Sequence, residues 1–123
     1  MVDIREFRSA KKGGDGNTWK NRILRLLEQE TYFKSVNDFR LLSTTEIRQK
    51  LGAEHNQIIN NNGYQLENKR LVVRLQREKE NHWLAVKNIQ PLTENDAKVI
   101  NELTENKYHF KAKKTEKNSD KQN

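Results

Sequence analysis

Residues 43–75 read STTEIRQKLGAEHNQIINNNGYQLENKRLVVRL and contain the signals that decide the fold. Ser43 and Glu46 have the spacing of a capping box, in which the two side chains accept each other's backbone N–H groups at the start of a helix. Gly52 follows at the point where a helix commonly ends in a residue with positive φ. The pattern predicts a helix over Thr44–Leu51 that ends at a glycine turn.

A second helix is predicted directly after this turn, over residues 54–67. Ile59 and Leu66 are seven residues apart, so both fall on the inner face of one continuous helix. Residues 60–63, Asn-Asn-Asn-Gly, have low helix propensity and are a typical stop signal. The apolar spacing favours the longer helix, frayed or kinked at Gly63, and an end before Gly63 is the alternative.

A β-hairpin is predicted after the second helix, because apolar and polar side chains alternate around a charged turn. The first strand covers residues 71–77, the turn residues 78–81 and the return strand residues 82–87. One face of the first strand is expected to be buried and the other exposed. The side chains predicted to face the core from this strand are Leu71, Val73 and Leu75.

The region before residue 43 predicts a first helix and an edge strand. Trp19, Ile23 and Leu27 recur at helical spacing, which indicates a helix over about residues 18–30. Residues 31–42 are too apolar for a solvated loop. They predict a short helical turn with a strand over Phe39–Leu42, which would add an edge to the later hairpin.

The C-terminal part predicts one more helix and then a tail. Thr93 and Asp96 resemble a second capping pair, and an apolar stripe continues to about residue 106. Residues 107–123 form a Lys-rich segment whose apolar content is too low to order it. Residues 1–17 contain a glycine-rich run and are predicted to be a flexible basic arm.

The composition favours a polyanionic partner. The chain has 123 residues with 24 Lys and Arg against 17 Asp and Glu, a net charge of +7. Residues 1–14 carry +2, residues 15–106 carry +1 and residues 107–123 carry +4. Most of the excess positive charge is therefore expected in the two terminal segments.

Several function classes find no support in the sequence. The absence of cysteine excludes disulfides, thiolate metal sites and cysteine nucleophiles. The three histidines are dispersed without metal-ligand spacing, and no nucleophile–base pair stands out. No secretory signal or membrane-spanning segment is recognisable. We therefore expect a cytoplasmic protein that is not an enzyme and that has no catalytic residues, metal or cofactor.

The order of predicted elements resembles the winged helix-turn-helix superfamily of DNA-binding domains. The resemblance rests on Ser43–Gly52 together with the strands at 71–75 and 83–87. It implies an α+β fold with a three-helix core and a C-terminal β-hairpin wing, followed here by an extra helix and a disordered basic tail. The implied division is an arm at 1–17, the winged domain at 18–90, a packing or dimerisation helix at 91–106 and a tail at 107–123.

The resemblance implies a small transcriptional regulator that binds double-stranded DNA. In this family the second helix of the motif, residues 54–67 here, enters the major groove, and the hairpin at 71–87 touches the backbone or minor groove. Amide side chains can pair bidentately with adenine. The implied base contacts are His55, Asn56, Gln57, Asn60 and Asn61. The implied backbone contacts are Thr44, Arg48, Lys50, Lys69, Arg70, Arg74, Arg77 and Lys79.

One feature favours an alternative function. No Lys or Arg occurs between Leu51 and Lys69, so the proposed recognition helix has no cation of its own. The alternative is a winged-helix module that binds a protein or RNA and does not bind duplex DNA specifically. The last helix either covers the core or forms a homodimer.

Overall fold

The computed structural model describes residues 18–113, which have a mixed α+β architecture with small antiparallel sheets. The predicted arm at 1–17 and the part of the predicted tail after residue 113 lie outside the described residues. In chain order the elements are α1 (Trp19–Glu30), β1 (Tyr32–Ser35), β2 (Asp38–Arg40), β3 (Leu42–Ser43), α2 (Thr44–Leu51), α3 (Asn56–Asn68), β4 (Val72–Arg77), β5 (Glu80–Ala85), a 3₁₀ turn (Val86–Asn88) and α4 (Glu94–Leu103).

Helix α1 forms where the apolar spacing predicted it. The Thr18 hydroxyl accepts a hydrogen bond from the backbone N–H of Asn21 at 3.2 Å, which caps the first turn. Ile23 and Leu27 lie one turn apart and are fully buried. Their face of α1 packs on α3 and on β5.

Residues 31–43 form strands, so the predicted short helical turn is wrong. β1 and β2 pair antiparallel with Phe33 opposite Phe39, and the two rings stack 6.2 Å apart. Aromatic pairs across strands stabilise a hairpin, and this outweighs the weak helical spacing of the same residues. The predicted edge strand is present but short, since only Leu42–Ser43 pairs with β5.

Helix α2 has the predicted bounds and both predicted end signals. The Ser43 hydroxyl accepts from the Glu46 N–H at 3.1 Å, and the Glu46 carboxylate accepts from the Ser43 N–H at 2.8 Å. At the other end Gly52 has a φ of 73°. The helix is thus delimited by local chemistry that the sequence displays directly.

Helix α3 runs unbroken through Gly63, so the longer of the two predicted helices is correct. A Cβ atom added at Gly63 would lie 2.5–2.8 Å from three ring carbons of Trp83. These distances are shorter than van der Waals contact, so only glycine lets the helix approach the ring this closely. Gly63 therefore serves helix–sheet packing and does not end the helix.

The β4–β5 hairpin has a tighter turn than predicted. Glu78 and Lys79 have φ values of 52° and 64°, the left-handed pair of a two-residue type I′ turn. Glu80 and Asn81, predicted to belong to the turn, instead belong to β5 and pair with β4. The sheet order is β3–β5–β4, with β4 at the edge.

The hairpin is buried on both faces, so the predicted division into a buried and an exposed face is wrong. Val72 and Val73 are 0% and 3% exposed and belong to different clusters, whereas Leu71, predicted to face the core, is 40% exposed. The inner cluster, on the side of α1–α3, contains Ile23, Leu27, Leu42, Ile47, Ala53, Ile59, Leu66, Val72, Trp83 and Ala85. The outer cluster contains Phe33, Val73, Leu84, Ile89 and Ile100.

Helix α4 and the segment after it cover the outer face of the sheet. Thr93 and Asp96 form the predicted capping box, and Ile100 is fully buried in the outer cluster. Tyr108 and Phe110 stack 5.2 Å apart and pack against the same cluster. The predicted disordered tail is therefore wrong for residues 107–113, because these two rings supply apolar contact area.

Candidate nucleic-acid interface

The start of α3 carries two of the predicted base-contacting residues, His55 and Asn56. The His55 ring is exposed and lies 4.0 Å from the Glu54 carboxylate. Asn56 is also exposed, but its Oδ1 accepts from Arg48 Nε at 2.7 Å and its Nδ2 donates to Thr45 Oγ1 at 3.4 Å. Asn56 is therefore tied to α2 and would exchange these hydrogen bonds on contacting a base.

The exposed face of α3 displays Gln57 and Asn61. These residues are four positions apart, so they lie one above the other on the same side of the helix. Within residues 18–113 neither side chain is hydrogen-bonded to another side chain or to the backbone. Their amide groups are thus free to donate to and accept from an external partner.

Asn60, also a predicted base contact, does not belong to this exposed face, because its side chain is hydrogen-bonded within the fold. It is half-buried, and its Oδ1 accepts from the Thr44 hydroxyl at 2.7 Å and from Asn81 Nδ2 at 3.0 Å. The reason is the rotation of α3, which turns Ile59 and Gly63 onto the sheet and brings Asn60 over its polar margin.

Thr44 was predicted to contact a phosphate, but the structure buries it. The residue is 1% exposed, and its hydroxyl accepts from the indole N–H of Trp83 at 3.0 Å. A buried Trp needs such an acceptor, and Thr44 supplies it from the first turn of α2. The residue therefore stabilises the core and cannot reach nucleic acid.

A polar network that the sequence did not reveal joins α3 to the hairpin. Asn81, 8% exposed, donates to Asn60 Oδ1 and to the Tyr64 hydroxyl at 3.2 Å, and it accepts from Gln76 Nε2. Its position after a charged turn made it look like a solvated turn residue. The only sequence signal for its burial is its place two residues before Trp83, on the same strand face.

Three of the predicted phosphate-binding cations are engaged with polar side chains of the protein, and a fourth, Arg70, donates to the backbone oxygen of Lys107 at 2.8 Å. Arg48 donates to Asn56, as described above, and Lys50 lies 3.3 Å from Glu30. Arg74 donates to Glu67 at 2.9 Å, and this hydrogen bond raises the pKa of Arg74 above its ordinary value. Its guanidinium also lies over the ring of Tyr64. Arg74 is consequently the least available of the three.

Arg70 and the remaining three cations lie at the ends of the hairpin and of α3. Lys79 is exposed at the hairpin turn, and Lys69 is exposed directly after α3. Arg77 lies over the ring of Phe39 and Arg70 over the ring of Tyr108. Because Phe39 and Tyr108 belong to the outer side of the sheet, these two arginines do not border the exposed face of α3.

Glu80 occupies the N-terminus of α2, a position that in principle attracts anions. Its carboxylate accepts from the backbone N–H of Thr45 at 2.8 Å. Hydrogen bonding by Thr45 lowers the pKa of the Glu80 carboxyl below its ordinary value. This hydrogen bond fixes the end of the hairpin beside α2. It also occupies the Thr45 N–H, which would otherwise be available to a phosphate oxygen.

Residues 18–113 carry more positive charge than was expected for the folded part of the chain. Residues 18–113 contain 17 Lys and Arg and 12 Asp and Glu, a net charge of +5. Residues 15–106, which contain the folded part predicted from the sequence, carry only +1. Three lysines of the predicted tail, at 107, 111 and 113, account for most of the difference between +1 and +5. Among these same residues no group of three His, Asp or Glu side chains is placed to hold a metal ion.

None of the helices in the range 18–113 is both long enough and apolar enough to cross a bilayer. Comparison with protein-family models, with curated proteins and with solved structures finds no match to this chain.

Proposed function

We propose that residues 18–90 form a winged helix-turn-helix domain that binds duplex DNA as a small transcriptional regulator. Helix α3 enters the major groove in this proposal, and the β4–β5 hairpin is the wing. The succession of α2, the Gly52 turn, α3 and the hairpin supports it, as does the packing of α1 across α3. The observation that carries the proposal is the exposed, unbonded amide pair of Gln57 and Asn61.

The chemistry of this pair suits base recognition. A Gln or Asn amide can donate to N7 and accept from the N6 amino group of adenine at once. Four helical residues correspond to a rise of about 6 Å, and successive base pairs are about 3.4 Å apart. Gln57 and Asn61 can therefore contact base pairs one or two steps apart when α3 lies along the groove.

Phosphate contacts come from the two ends of this surface. Arg48 belongs to α2, and its hydrogen bond to Asn56 holds its guanidinium beside the start of α3. Lys79 lies in the hairpin turn. The hydrogen bonds between Glu80 and Thr45 and between Asn81 and Asn60 hold the hairpin end beside α2 and α3. Contacts of this kind fix the orientation of a protein on the duplex without reading sequence.

A matched pair of double variants tests the proposal. A preferred duplex is first selected from a random pool with the full chain, and binding is then followed by fluorescence anisotropy. We expect Gln57→Ala/Asn61→Ala to lose about 5- to 150-fold of the preference for that duplex over a random one. Gln29→Ala/Asn95→Ala removes exposed amides from α1 and α4 and is expected to keep the preference.

Lys79→Ala provides a second, independent measurement. It is expected to weaken binding to all duplexes alike and to reduce the slope of log affinity against log salt by about 1. A chain that binds no duplex even at low salt, or that prefers single-stranded RNA, would overturn the proposal. That outcome would favour the alternative of a protein- or RNA-interaction module.

A further inference from the structure

The edge of β4 that faces away from β5 has no strand paired with it among residues 18–113. The backbone N–H of Val86 donates to Leu71 O at 3.0 Å, so these two residues form a hydrogen-bonded pair of the ladder. Hydrogen-bonded and non-bonded pairs alternate in an antiparallel ladder. In the observed register, Val72, Arg74 and Gln76 therefore direct their N–H and C=O groups away from β5.

Only the start of this edge is covered within the described chain. The Tyr108 hydroxyl donates to Val72 O at 3.4 Å, which confirms the direction of that carbonyl. The edge-facing backbone groups of Arg74 and Gln76 have no partner among residues 18–113. Such groups form a template for an added strand, and two residues offer four backbone hydrogen bonds.

A cavity of about 760 Å³ lies along the same edge on the outer face of the sheet. Val73, Leu84 and Ile100 form its apolar floor and are at most 3% exposed. Phe39 and Leu103 line it as well and are 38% and 54% exposed. A strand added to β4 would direct every second side chain over this floor, so apolar residues at alternate positions would be buried there.

The charges that line the cavity are unbalanced. Arg70 and Arg77 have no carboxylate within 4.0 Å among the described residues, although both guanidinium groups are exposed. They leave the lining with two uncompensated positive charges. The remaining charged residues of the lining form two ion pairs, Arg74 with Glu67 at 2.9 Å and Lys107 with Glu105 at 3.7 Å.

Arg70 and Arg77, which have no carboxylate partner among the described residues, lie at opposite ends of the strand, and Arg70 Nη1 donates to the backbone oxygen of Lys107 at 2.8 Å. Arg77 is the last residue of β4, which spans about 17 Å from Val72, and Arg70 lies in the turn just before the strand. The Arg77 guanidinium lies 5.7 Å from the Phe39 ring, and the Arg70 guanidinium lies 5.5 Å from the Tyr108 ring. These aromatic contacts hold both cations beside the cavity, so a bound segment with an acidic residue at each end complements them.

We propose that β4 binds an extended segment of another protein as an additional strand. The segment carries apolar side chains at alternate positions and acidic residues at both ends. Its backbone pairs with Arg74 and Gln76, its apolar side chains fill the cavity, and its carboxylates contact Arg70 and Arg77. The site is on the opposite side of the sheet from Gln57 and Asn61, so it does not depend on the proposed DNA binding.

The probe for this site is the capped heptapeptide DTVTVTD, in which both Asp and both Val side chains lie on the same face of an added strand, titrated into the full ¹⁵N-labelled chain. We expect shifts at the cavity floor and slowed hydrogen exchange at the amides of Arg74 and Gln76. Peptide KTVTVTK reverses the terminal charges, and DTVPVTD removes a central backbone donor. Each is expected to bind at least about tenfold more weakly, the effect of losing roughly 1.4 kcal/mol.

The variant Arg70→Gln/Arg77→Gln is expected to bind the acidic peptide about tenfold more weakly. Arg25→Gln/Lys98→Gln removes the same charge from exposed positions outside the cavity lining and should bind like the unmodified chain. Thermal unfolding of both variants is measured first and is expected to match that of the unmodified chain, because the four substituted side chains are exposed. Equal affinity for all three peptides, no binding of the acidic peptide, or protection of Arg74 and Gln76 before any peptide is added would overturn the proposal.

Discussion

Gly63 lies in the interior of α3, where alanine ordinarily stabilises a helix by about 1 kcal/mol relative to glycine. Here a Cβ atom would meet the Trp83 ring at 2.5–2.8 Å, and that ring is fully buried. We expect Gly63→Ala to lower the free energy of unfolding by about 1–3 kcal/mol, because a packed core resists expansion. Urea denaturation measures the change.

Asn61→Ala is the matched control for this prediction. Asn61 is in the same helix but exposed, so alanine is expected to leave stability unchanged or raise it slightly. A Gly63→Ala protein that is as stable as the unmodified chain would contradict the close contact between α3 and Trp83.

The buried hydroxyl of Thr44 gives a second prediction at the scale of single residues. Thr44→Val removes the acceptor of the Trp83 indole N–H and the donor to Asn60 Oδ1. We expect a loss of about 1–3 kcal/mol in the free energy of unfolding, with Thr44→Ser close to the unmodified protein. An unchanged stability in Thr44→Val, together with weaker duplex binding, would restore its predicted phosphate contact.

Residues whose partners are close in sequence were predictable, and residues whose partners are distant were not. Ser43 and Glu46 are three positions apart, and Gly52 acts through its own φ, so both helix ends could be derived locally. Thr44 and Asn60 instead bond to residues of the hairpin. Nothing in their neighbourhood in the sequence distinguishes them from the half-buried Thr45 and the exposed Asn61.

At the scale of elements, Asp96 links α4 to the β1–β2 hairpin. Its Oδ1 accepts from the backbone N–H of Val36 at 3.1 Å, and its Oδ2 accepts from the hydroxyl of Thr93 at 2.8 Å. The hydrogen bond from Thr93 is the main cause that lowers the pKa of the Asp96 carboxyl. One carboxylate therefore caps a helix and positions a turn.

This arrangement predicts how stability changes with pH. Since the pKa of Asp96 is lower in the folded state than the ordinary value of about 3.9 in the unfolded chain, its contribution is complete above that value and is lost as pH falls through the folded pKa. We expect Asp96→Asn to lose about 1 kcal/mol at neutral pH and to differ less from the unmodified chain in acid.

Denaturation curves at neutral pH and in acid measure the effect. Glu94→Gln is the control, because Glu94 is an exposed acid in the same first turn of α4. If the difference between Asp96→Asn and the unmodified chain stays constant across this range, Asp96 does not stabilise the fold through its charge.

The sequence predicted helices better than it predicted how strands pair. Helical faces such as Ile23 with Leu27 are visible over one turn. The pairing of β1 with β2 depends on Phe33 meeting Phe39, and the same residues also fit a helical turn. Burial of Val72 and Val73 on opposite faces depends on α4 covering the sheet, which alternation along one strand cannot show.

At the scale of the whole molecule, the segment after α4 completes the outer cluster. Tyr108 and Phe110 pack on it, whereas His109 between them is exposed. We expect Tyr108→Ala/Phe110→Ala to lower the free energy of unfolding by about 2–5 kcal/mol, because two aromatic rings lose their contacts. His109→Ala should have no measurable effect, and equal stability of the two variants would show that residues 107–113 do not contribute to the core.

The net charge of +5 over residues 18–113 could not be assigned from the sequence, because it depends on where the folded part ends. The two arginines left unpaired beside the cavity, and the free amides on α3, also emerge only from the tertiary arrangement. They place two distinct surfaces on opposite sides of one sheet, and the proposed DNA contact concerns the surface on α3.

The proposed contact between α3 and duplex DNA can be tested by titrating the ¹⁵N-labelled full chain with a short duplex at low salt. We expect the largest amide shifts at Gln57 and Asn61 and at the hairpin turn, with little change in α4. Shifts restricted to residues outside α3 and the hairpin, or no shifts at all, would contradict the proposed contact.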